Sequence, residues 1–115
     1  MILSIIELAP ISKNRDKALE LLRFIADRVE TRQGCLRAGV YQASDEKGTI
    51  VYLERWESIE EFRRYVRSNL YLNVLNALDL SQELPVVNIY EVSNIKAMEF
   101  IVALRNSEGL SVENE

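Results

Sequence analysis

The stretch GTIVYLERWESIEEFRRYVRSNLYLNVL, residues 48–75, decides the fold. Thr49 to Trp56 reads as a strand with Ile50, Tyr52, Glu54 and Trp56 on one face and Val51, Leu53 and Arg55 on the other. Ser58 then stands where a helix N-cap belongs, and Glu61 three residues later completes the signature of a capping box. Beyond it Ile59, Phe62 and Val66 recur at helical spacing, with Tyr65 at the border of that stripe. A second helical segment, about Leu70 to Asp79, adds Leu72, Val74, Leu75 and Leu78.

Working outward, residues 2–9 form a further strand pattern, with Ile2, Ser4, Ile6 and Leu8 opposite Leu3, Ile5 and Glu7, and Pro10 ends it. A helix is expected from about Asn14 to Thr31, its stripe made of Ala18, Leu21, Leu22, Ile25 and Val29, with Gly34 as its stop. Leu36 to Ala43 reads as a strand and Ser44 to Gly48 as a hairpin turn. Pro85 opens a fourth strand, Val86 to Val92, and Asn94 is placed to cap a short C-terminal helix. The chain therefore reads as one domain over 1–115: a core of 1–93, a helical extension 94–106 and a frayed tail 107–115. Its order, β-α-β-β-α-β, is the ferredoxin-like plan of an α+β fold.

Strands three and four are apolar on both faces, Val51 and Leu53 backing Ile50 and Tyr52, and Val87 and Ile89 backing Val86 and Tyr90. A sheet with helices on one side and water on the other alternates instead. The second face needs a cover. The C-terminal helix could supply part of it; the simplest cover is the sheet of a second identical subunit, giving a homodimer in which Arg55 serves the contact.

Composition narrows the function class. A net charge of −4 and a pI near 5.0 disfavour nucleic acid or an anionic membrane as partner. No apolar run approaches the ~20 residues of a membrane span, and MILSIIELAP has neither the basic start nor the cleavage site of a signal peptide. A lone Cys35 makes no internal disulfide, so a reducing cytoplasm is expected. With no histidine and one cysteine, the usual zinc, copper and non-haem iron ligand sets cannot be assembled, and no cofactor is expected.

The chain resembles the antibiotic biosynthesis monooxygenase superfamily of dimeric α+β barrels. The resemblance is carried by Gln33 to Leu36 (QGCL), Tyr52 to Trp56 (YLERW), Trp56 to Ser68, Leu78 to Pro85 and the C-terminal Ala97 to Ile101 (AMEFI). It implies a pocket between helices and sheet, with Trp56 as the strand-end tryptophan and Tyr65 where many members carry a histidine. The haem-degrading branch also uses an asparagine on strand one, where this chain offers only Ser4 and Glu7. Haem degradation is therefore not implied.

Within that frame Glu54 is the foremost carboxylate. Beside Tyr52 and Trp56 its pKa could rise, making it a base toward a phenolic proton; alternatively it pairs across the sheet or with Arg37. Tyr65 suits hydrogen-bond donation better than base catalysis, or it simply packs. Trp56, Tyr52, Tyr41 and Asn69 are the candidate substrate-binding residues. Against that, Trp56 suits a core position, Tyr41 could pack in the sheet, and Asn69 could cap a helix. Cys35 reads as a small buried hydrophobe, and Arg63, Arg64 and Arg67 as a solvated, ion-paired face. Two functions follow: a cofactor-independent monooxygenase acting on a small aromatic or quinol-type substrate, or a non-catalytic dimeric module that binds a ligand or partner.

Overall fold

The computed structural model describes residues 1–93 and 97–107. Their elements are β1 (Ile2–Leu8), α1 (Ser12–Val29), β2 (Cys35–Gln42), β3 (Ile50–Trp56), α2 (Ile59–Val66), α3 (Leu70–Leu78), β4 (Val86–Glu91) and α4 (Met98–Arg105). The four strands form one antiparallel sheet in the order β2-β3-β1-β4, the ferredoxin-like arrangement. The expected cap Asn94, and all of the tail beyond residue 107, lie outside the described residues.

Period-two alternation puts Ile2, Ser4, Ile6 and Leu8 of β1 in register with Trp56, Glu54, Tyr52 and Ile50 of β3 on the helix-covered face. All eight are buried, and with Ala18, Leu22, Ile25 and Val29 of α1 they account for most of the core. Leu19 and Ala26 join them from α1, whereas Leu21 is only partly buried. α1 packs on β2 and α3, and α2 packs on β3 and α3.

Two short helices depart from the expected stripes. In α2 the buried positions are Phe62 and Tyr65, while Val66 is exposed; in α3 they are Val74 and Ala77, while Leu72 and Leu75 are exposed. Both elements are barely two turns long, so the tilt at which each docks, rather than hydrophobicity, selects the buried positions. Only half of the capping box forms. Ser58 Oγ accepts from the Glu61 N–H at 3.3 Å, but the Glu61 carboxylate turns to Arg64. Strand β2 carries an irregularity between Cys35 and Arg37, a bulge at Leu36 that the strand pattern does not announce.

The opposite sheet face bears Leu3, Ile5, Val51, Leu53, Val86 and Tyr90, and among the described residues α1 to α3 do not pack over it. On the helix side, β4 is also uncovered: Val87 and Ile89 each keep 44% of their surface in solvent.

Gly34 ties the end of α1 to the start of α2. It lies at φ +88°, its carbonyl accepts from the Glu57 N–H at 2.8 Å, and a Cβ there would meet Glu61 Cβ at 2.6 Å. Both the left-handed backbone and the contact penalise any side chain. Gly34→Ala is expected to lower unfolding free energy by about 1–3 kcal/mol in urea titrations, with Ser58→Ala losing about 1 kcal/mol.

Candidate functional site

At the Trp56 end of the sheet, Glu54 sits mid-strand between Ser4 and Ala38, its register partners on β1 and β2. Two small neighbours leave space above the carboxylate, and Tyr65 of α2 fills it. The Tyr65 hydroxyl donates to Glu54 Oε2 at 2.5 Å, and the Trp56 indole N–H donates to Oε1 at 3.1 Å. The Tyr65 ring stacks on Trp56 with centroids 4.8 Å apart and planes 23° from parallel, while Tyr71 meets it edge-on at 5.1 Å. Phe62 closes the side against Trp56, and the Arg32 guanidinium stands 5.8 Å from the Tyr65 ring centre. Tyr52 completes the group, its hydroxyl buried beside the carboxylate without a hydrogen bond of good geometry.

Burial governs the electrostatics. It raises the Glu54 carboxyl above its ordinary value, against hydrogen bonds from neighbouring hydroxyl and indole groups that favour the ionised form. Tyr65 and Tyr52 are both pushed up, by burial first and by the nearby Glu54 charge second, so each phenol keeps its proton across the physiological range. The Cys35 thiol, half-buried near Glu54, is pushed up to about 11 for the same two reasons, which makes it an unreactive thiol.

Of the sequence candidates, the fold brings together Glu54, Tyr65, Trp56 and Tyr52, and leaves out Tyr41 and Asn69. Tyr41 pairs with Val51 on the opposite sheet face and is 43% exposed. Asn69 precedes α3, is exposed and makes no side-chain cap hydrogen bond. Arg37 does not reach Glu54 either, because it shares the opposite face with Arg55 while Ala38 stands across from Glu54. Tyr71 and Ser4 belong to the cluster unannounced. Tyr71 lies beyond the break between α2 and α3, which helical spacing does not carry across, and Ser4 counts only once its register with Glu54 is known.

The cluster is closed. Trp56, Tyr65, Tyr52 and Glu54 are all between 0 and 1% exposed, so almost none of their surface meets solvent. An open recess of about 440 Å³ lies at the other end of the sheet, between Pro10, Arg15, the 45–48 turn and Glu83. Among the described residues no group of three or more carboxylate, thiol or imidazole side chains could hold a metal ion, and no helix is long and apolar enough to cross a membrane.

A four-stranded ferredoxin-like sheet with an aromatic and carboxylate cluster under its helices defines a small α+β domain. The sequence matches the model of the antibiotic biosynthesis monooxygenase family over residues 1–77, and the chain belongs to that family. None of the curated proteins matches it. Among solved structures, a candidate antibiotic biosynthesis monooxygenase from Deinococcus radiodurans superposes with a TM-score of 0.76 at 18% identity, covering 85% of this chain and 98% of its own. A second candidate monooxygenase, from Nitrosomonas europaea, gives 0.72 at 17% identity, covering 82% and 100%. A conserved protein from Methanosarcina mazei gives 0.72 at 18%, covering 80% and 92%. At these identities the likeness establishes the fold.

The raised Glu54 carboxyl has a signed consequence. The folded state prefers the protonated acid, so the stability it contributes is complete below the ordinary value of 4.5 and is lost as pH rises through the folded pKa. Glu54→Gln cannot ionise. Its melting temperature minus that of the parent is expected to increase from pH 4.5 to pH 8 in thermal scans, and a decrease would show that the buried carboxylate stabilises the fold.

Proposed function

We propose that this chain is a non-catalytic member of its family, a homodimer-forming module whose inherited pocket is occupied by its own Tyr65. One observation carries the proposal: the Tyr65 phenol lies flat on Trp56 and donates to Glu54, the arrangement a phenolic substrate would have to adopt. Each carboxylate oxygen already accepts one hydrogen bond and the side chain is 1% exposed, so the one candidate base does not face open space. The missing histidine removes the usual acid–base group near neutral pH.

The homodimer is supported by the sheet face opposite the helices. Val86 and Tyr90 are 48% and 45% exposed there, on a face apolar along three strands. Arg55 also lies on that face with its Nε buried and unpartnered, across from the like-charged Arg37. A second copy would bring the outward-facing Glu7 of its own β1 as a carboxylate of the required charge.

A second function is favoured by Tyr52, whose hydroxyl lies buried next to Glu54 without a well-formed hydrogen bond. If Tyr65 swung aside, Glu54 would become the base and Tyr52 the donor of a cofactor-independent monooxygenase acting on a quinol-type substrate.

Oxygen uptake separates the two. The parent protein is expected to consume no oxygen with hydroquinones or anthrones; turnover abolished by Glu54→Gln would establish the oxygenase. Tyr65→Ala is expected to lose about 3–5 kcal/mol of stability and to regain part of it with millimolar phenol, read as a rise in melting temperature absent from the parent. A parent protein equally stabilised by phenol would contradict self-occupation.

A further inference from the structure

We propose that α4 is an exchanged arm, docking on the helix-side strip of β4 in the second subunit; this rests on the homodimer proposed above. Helix α4 is eight residues long and buries none of them. Isolated helices shorter than about 12–15 residues are marginal in water, so burying a further apolar face of α4 would stabilise it. Met98, Ile101 and Arg105 recur at i, i+3 and i+7 and line one face, with Met98 67% and Ile101 54% exposed.

The surface it matches is on the same chain. Val87, Ile89 and Glu91 share the helix-side face of β4, in register with Ile6, Ser4 and Ile2 of the core face. Helices α1 to α3 leave this strip bare. It offers two apolar side chains followed by an acid over roughly 13 Å of strand. Along α4, two apolar side chains followed by a base extend over roughly 10 Å of helix. Length, hydrophobicity and charge all correspond. β4 is moreover an edge strand, an element that proteins protect by covering it.

Six residues separate β4 from α4, yet within one chain both surfaces remain exposed. A reciprocal exchange buries both in two copies at once and closes the assembly, leaving no unpaired arm. The outward face of β4 stays free for the sheet-to-sheet contact, so the two interfaces do not compete.

Isotope-filtered NOE spectroscopy on an equimolar mixture of carbon-13-labelled and unlabelled full-length protein tests the exchange. Cross-peaks are expected between Ile101 methyls of one copy and Val87 or Ile89 methyls of the other. Truncation after Ser93 is expected to shift those β4 methyl resonances and to lower the melting temperature. A dimeric mass by light scattering with the same contacts confined to one copy, or absent, overturns the exchange and leaves the dimer standing. A monomeric mass removes both. Unmoved β4 methyls in the truncated protein also overturn it.

Discussion

The phenol of Tyr65 held against the carboxylate of Glu54 in a dry core is the constraint on which the helical layer depends. A carboxylate with 1% exposure is tolerated only when its oxygens are satisfied, and here an indole N–H and a phenol O–H do so. Satisfying it fixes the rotation of α2 about its axis, because Tyr65 must face the sheet and Val66 must therefore face solvent. That rotation seats Phe62 beside Trp56, and Tyr71 of α3 closes over the far edge of the Tyr65 ring. The small register neighbours Ser4 and Ala38 make the vertical approach possible.

Much of this is legible in the sequence. Alternation along β3 groups Tyr52, Glu54 and Trp56, and the order of elements gives the α+β fold directly. The meeting of Tyr65 with Glu54 was not legible, since they belong to different elements and an eight-residue helix does not declare its docking angle. Tyr41 was ambiguous for a related reason: Val40 and Tyr41 are adjacent and both apolar, so hydrophobicity alone does not say which faces the helices. The register with β3 resolves it, pairing Val40 with Tyr52 and Tyr41 with Val51. Asn69 resembled a cap because it stands at a helix boundary. Its backbone is already helical, however, at φ −63° and ψ −28°, unlike the extended Ser58 that does cap.

Family membership and chemistry separate at this cluster. Between sheet and helices, Tyr65 packs on Trp56 and over Glu54, and all three are buried. Fold alone does not assign a reaction. On the account proposed here, the surfaces left for function are the uncovered sheet face and the exposed α4, both suited to association rather than turnover.

Trp56 is the only tryptophan in the chain and stacks directly on Tyr65, so its fluorescence reports on the closure of the site. Acrylamide and hydroquinone quenching of the native protein is the most direct measurement. Weak acrylamide quenching, typical of a fully buried indole, and no saturable quenching by hydroquinone are expected. Saturable quenching by hydroquinone, lost in Glu54→Gln, would mean that the site opens to admit a phenolic ligand and would contradict self-occupation.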